Sequence, residues 1–77
     1  MTVAKIRAAA IKVLIDYMGI GAEFVVDDAM DATNKTITFE RDPIFFEMYF
    51  FVCLGKMLPP EVPYDKVKNA VTKLLRR

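Results

Sequence analysis

The sequence predicts an α+β fold with the element order α-β-β-α-α, and three observations carry that prediction. Each end of the chain has helical periodicity, the stretch from Glu23 to Arg41 changes to alternating hydrophobicity, and DPIFFEMYFFVCLGKML, at 42–58, is almost wholly apolar. At 77 residues the chain makes one domain, 1–77.

The N-terminal segment, Thr2 to Met18, is rich in alanine and long aliphatic residues and reads as a helix. Projected at about 100° per residue, Ile6, Ala10, Val13, Leu14 and Tyr17 form one stripe, and Ile11, Ile15 and Met18 form a second beside it. Lys5, Lys12 and Asp16 occupy the narrow polar strip opposite. That apolar arc is broader than a helix needs to cover one side of a core. Gly19 suits the left-handed position after the last turn, and Ile20 is placed to contact Ile15 in a Schellman-type stop.

Two short β-type runs follow, Glu23 to Asp28 (EFVVDD) and Thr36 to Arg41 (TITFER). In the second, Ile37 and Phe39 share one face while Thr36, Thr38 and Glu40 share the other. With Thr33 and Asn34 at the centre of the intervening turn, Phe24, Val26 and Met30 join Ile37 and Phe39 on the greasy face of a hairpin. Asp28 intrudes on that face, which implies a shortened pairing or a bulge. A two-stranded hairpin is marginal in water, so its apolar face is expected to lie on helices.

Asp42 and Pro43 make a helix start, the first able to cap and the second preset for the first helical position. Between Ile44 and Leu58 only Glu47, Gly55 and Lys56 are not apolar, so this helix is hydrophobic on nearly its whole circumference. The aromatic and β-branched content also suits a strand, but the capping pair and the length favour the helix. Gly55 either ends it early or marks a close-packing point, and Pro59 and Pro60 stop it. After the stiff linker PPEVP, Tyr64 to Arg77 forms an amphipathic helix with Tyr64, Val67, Ala70, Val71, Leu74 and Leu75 inward.

Composition narrows the function classes. Hydrophobic residues are 55% and charged residues 27%, with mean hydropathy +0.27, which excludes a disordered chain. Burial at ~25 cal/mol/Å² against an ordering cost of about 1.5 kcal/mol per residue leaves a chain this short near zero stability, so outside help is expected. The single cysteine, Cys53, cannot close an internal disulfide, and with no histidine a structural zinc site is unsupported. Oligomerisation remains, with a homodimer the simplest form. Histidine and serine are both absent, so the usual base and nucleophile pairs cannot be assembled. No catalytic residue, cofactor or metal is expected. Lys12 and Asp16 interrupt any secretory h-region, and the apolar run is too short to span a bilayer, which points to a cytoplasmic protein.

Net charge is +1, distributed as +2 over residues 1–22, −5 over 23–48 and +4 over 49–77. The basic residues Lys66, Lys68, Lys73, Arg76 and Arg77 are candidates for contact with an anion or nucleic acid, although such residues also complement a helix C-terminus. Asp27, Asp28 and Asp31 lack EF-hand spacing and read as a solvated turn. Glu47 is expected at an exposed edge of its helix, with a lysine or arginine of a basic terminus as partner.

The expected self-association interface comprises Phe45, Met48, Tyr49, Phe50 and Val52, with Leu14 and Met18 of the first helix. The function these features support is a small non-enzymatic protein–protein interaction module, an adaptor, inhibitor or assembly factor, working as a homo-oligomer. Small size without an active site also fits accessory proteins of phages, viruses or mobile elements, by association alone. The rival is a nucleic-acid-binding protein using the basic C-terminal helix and the N-terminal segment. A third reading lays Lys5, Arg7 and Lys12 on a membrane surface.

Overall fold

The computed structural model describes residues 2–77 and contains four helices, with no strand among the described residues. They are α1 (Val3–Met18), α2 (Gly21–Asn34), α3 (Pro43–Met57) and α4 (Tyr64–Leu75). The expected α+β class is therefore corrected to all-α, and the predicted hairpin is absent.

The correction has a physical cause in the spacing of α2. Its buried residues are Ala22, Val26, Ala29, Met30 and Thr33, which recur at helical intervals. Under the hairpin, Phe24 belonged to the core; on the helix it is 71% exposed. Asp28, which had no place on a strand's greasy face, is exposed on the outer side of α2. The buried Thr33 hydroxyl is satisfied by donating to the Ala29 carbonyl at 2.7 Å. Alternation survives only as a fragment of irregular chain, where Ile37 and Phe39 are half-buried and Thr36, Thr38 and Glu40 are exposed. The Phe39 ring meets Phe46 edge-on at 5.7 Å, which holds that segment on α3.

The helix ends follow their chemistry. Thr2 caps α1 by accepting from the Lys5 amide at 3.2 Å, and Asp42 caps α3 by accepting from the Phe45 amide at 3.0 Å. Gly19 ends α1 at φ +61° and ψ −137°, outside the left-handed helical region and in territory that L side chains rarely enter. Its amide donates to the Ile15 carbonyl and its own carbonyl accepts from Ala22, so the chain turns directly into α2. The Schellman contact does not form: Ile20 is 87% exposed.

Helix α1 packs against both α2 and α4, and α2 packs against α3. The shared core is built from Ile6, Leu14, Val26, Phe46, Phe50 and Leu54, with Val67 and Val71 closing it from α4. The radius of gyration is 11.3 Å, against about 11.5 Å for a compact domain of this length. The accessible surface of 4998 Å² is likewise near the ~4,800 Å² of a folded monomer of this mass. A single chain thus covers most of the phenylalanine-rich run, leaving exposed apolar residues on α3 (Ile44, Phe45, Met48, Val52, Met57) and around the α1–α2 corner (Ile15, Tyr17, Ile20, Phe24). No helix among the described residues is long and apolar enough to cross a membrane.

Candidate functional site

One group of the apolar residues left outside lies on one side of α3, apart from Ile15, Tyr17, Ile20 and Phe24 around the α1–α2 corner. Ile44, Met48 and Val52 are 75%, 63% and 47% exposed and recur every four residues, so they form a continuous ridge. Phe45 is exposed beside them and stacks on Tyr49 at 5.9 Å between ring centres. The opposite side of the same helix carries Phe46, Phe50, Cys53 and Leu54, all buried. A helix apolar all round has been half covered.

The neighbour on the other flank is α4. A Cβ placed on Gly55 would lie 2.9 Å from the Tyr64 ring. Lys68 Nζ sits 5.9 Å above the Phe51 ring, and Arg76 pairs with Glu47 at 3.4 Å. Residue numbers rise along α4 as they fall along α3, so the two helices run antiparallel with a side-chain seam between them. Gly55 is a close-packing point, not a stop: the missing side chain admits the Tyr64 ring. Burial there pushes the Tyr64 phenol pKa up, and the charge of Asp65 adds to the effect.

Beside this seam lies an open groove of about 530 Å³. Ile44, Met48 and Val52 form one wall, and Tyr64, Lys68, Thr72 and Arg76 form the other, again at four-residue steps. Its lining is apolar with a basic rim. Glu47 lies at its base, only 8% exposed, with Arg76 as its partner. The expected pairing with a basic terminus is present, but Glu47 is buried and does not sit on an open edge.

The sequence-predicted interface residues divide accordingly. Phe45, Met48, Tyr49 and Val52 line the groove together, whereas Phe50 and Leu14 are fully buried in the chain's own core and present no surface. Met18 is half-buried near the α1–α2 corner, beside Gly21. Ile44, Tyr64 and Thr72 were not singled out from sequence as site residues; a ridge at 44, 48 and 52 was the available signal for the first.

The basic residues divide too. Lys68 and Arg76 belong to the groove, while Lys73 and Arg77 join Lys12 around a shallower hollow between α1 and α4, with Asp16 as the one acid there. Lys66 is exposed. On α1, Arg7 is paired with two acids of α2. Its Nε donates to Asp27 Oδ1 at 2.7 Å, and its Nη2 donates to Asp27 Oδ2 at 3.2 Å and to Glu23 at 3.0 Å. Asp27 is therefore a strut between α1 and α2 and no longer a free turn acid. The hydrogen bond from Arg7 holds the Asp27 carboxyl below its usual 3.8, and Asp27 in turn raises the guanidinium.

Compared with protein-family models, with curated proteins and with solved structures, the chain matches none.

Proposed function

We propose that this chain is a non-enzymatic protein–protein interaction module that works as a homo-oligomer and associates through the groove between α3 and α4, in an adaptor, inhibitor or assembly role. The observation that supports it is the ridge of Ile44, Met48 and Val52, an interior type of surface left outside on a chain that otherwise covers its core well. Methionine and aromatic side chains beside a basic rim suit contact with another protein surface. Sedimentation of the wild type and of Met48→Lys tests this. The wild type should run above monomer mass at micromolar concentration, and Met48→Lys should run as a monomer with unchanged helical circular dichroism. A wild-type monomer that recruits no further copy removes self-association.

The nucleic-acid reading retains one supporting observation, the cluster of Lys12, Lys73 and Arg77 around the second hollow. Retention on heparin that falls steeply with salt and disappears in Lys12→Glu/Lys73→Glu would favour it.

A further inference from the structure

Resting on the self-association proposed above, we infer what fills the groove: the outer face of α2 from a second copy, carrying Ile20, Phe24, Asp28 and Asp31, seats between α3 and α4 in a head-to-tail contact.

The chain leaves two apolar patches uncovered, and they differ in charge. On the first, Ile20 and Phe24 are 87% and 71% exposed. Asp28 and Asp31 follow them at helical steps, so the four side chains fall within about 80° of arc, opposite the buried face of α2. Both aspartates are exposed, and neither pairs with a cation among the described residues. Arg7 engages Glu23 and Asp27 instead, and α2 itself holds no lysine or arginine.

The groove is the complement of that face. Ile44, Met48 and Val52 form its apolar wall, and Lys68 and Arg76 stand exposed on the other. Lys68 has no acidic partner among the described residues, and Arg76 meets Glu47 with 61% of its side chain still open. Apolar residues beside acids thus face apolar residues beside bases, the match that steers and orients two protein surfaces.

Charge also works against the symmetric alternatives. A twofold contact sets one patch against itself. Groove on groove brings the basic walls of two copies together, and α2 on α2 does the same with the aspartates, where like charges oppose binding. The outer face of α2 shares no residue with the groove. One copy can therefore seat its α2 in a neighbour while its own groove receives another, and such a heterologous contact either closes into a ring or continues to grow.

Two variants, each blocking one patch at an exposed position, test the arrangement: Phe24→Lys on α2 and Met48→Lys in the groove. In sedimentation at micromolar concentration the wild type should run above monomer mass and each variant alone as a monomer. An equimolar mixture of the two should give a one-to-one dimer and nothing larger, because one intact groove meets one intact α2 face. That recovery also shows both variants to be folded. Asp28→Lys/Asp31→Lys should weaken association about tenfold or more, and added salt should act in the same direction on the wild type. If Phe24→Lys associates as the wild type does, or if variants with unchanged helical circular dichroism stay monomeric when mixed, the head-to-tail contact is overturned while self-association stands. A wild-type monomer overturns both, and leaves the groove to an acidic helix of another protein.

Discussion

Arg76 reaches from the end of α4 to Glu47, buried in the flank of α3, and the 3.4 Å ion pair between them ties the last turn of the chain to its most apolar helix. Glu47 is nearly closed off from water while Arg76 is largely open to it. Removing the arginine therefore leaves a charge without its partner in a poorly hydrated place, whereas removing both leaves nothing to solvate. Arg76→Ala should destabilise by about 1 kcal/mol, a figure held down by the exposure of the arginine. Arg76→Ala/Glu47→Leu should recover most of that loss. Urea midpoints around the double-mutant cycle measure the coupling, and additive losses would show that the pair carries no linked energy.

The glycines should respond to alanine with different signs. At Gly19 the backbone angles themselves exclude a side chain at low cost, so Gly19→Ala should destabilise by about 1–3 kcal/mol although the space around it is open. Gly21 lies in α2 with only the Met18 methyl near, and Gly21→Ala should stabilise by about 0.5–1 kcal/mol through helix propensity. At Gly55 the same propensity gain meets the Tyr64 ring, 2.9 Å from where a Cβ would lie. Gly55→Ala should therefore be destabilising by about 1 kcal/mol, and a second change, Tyr64→Leu, should turn the effect favourable. Thermal unfolding of the variants reads each sign directly.

Much of the helical frame was legible because its signals are local and chemical. Thr2, Asp42 with Pro43, and the tandem Pro59 and Pro60 each fix a helix boundary within a residue or two of where it lies. Helix α2 was not legible as such. The adjacent Val25 and Val26 favour a strand locally, and Phe24 draws attention as a core residue, while the small residues Ala22 and Ala29 that mark the buried face weigh little in any apolar pattern. Tertiary packing on α1 and α3 decided the segment. The groove was partly legible: an all-round apolar helix on so short a chain had to leave one side uncovered, but which side depends on where α4 lies, and that follows from contacts between residues distant in sequence, Gly55 with Tyr64 and Glu47 with Arg76 among them.

The helical assignment of α2 makes its own prediction. Phe24→Ala, at a site 71% exposed, should change stability by no more than about 0.5 kcal/mol. Met30→Ala, in the core, should cost about 2–4 kcal/mol. A hairpin would put both side chains on the covered face and make both substitutions expensive. Comparable losses at the two positions by chemical denaturation would restore the strand pairing.

Arg7 and Asp27 make stability depend on acid in a direction the geometry fixes. The guanidinium grips both carboxylate oxygens across the α1–α2 contact and holds the Asp27 carboxyl below its usual 3.8. A carboxyl lowered in the folded state contributes stability that is complete above its unfolded value and is lost as pH falls through the folded one. The wild type should therefore lose this contribution as pH falls below about 4, and Asp27→Asn, which has nothing to protonate, should show a shallower acid limb. Both side chains remain open to solvent, so added salt should shrink the difference between the two proteins at neutral pH. Arg7→Lys should behave partway toward Asp27→Asn, since an ammonium cannot reproduce the two-pronged grip. Urea midpoints measured from pH about 6 to about 2 provide the comparison, and parallel acid limbs for wild type and Asp27→Asn would mean that the pair seen between α1 and α2 contributes nothing to folding.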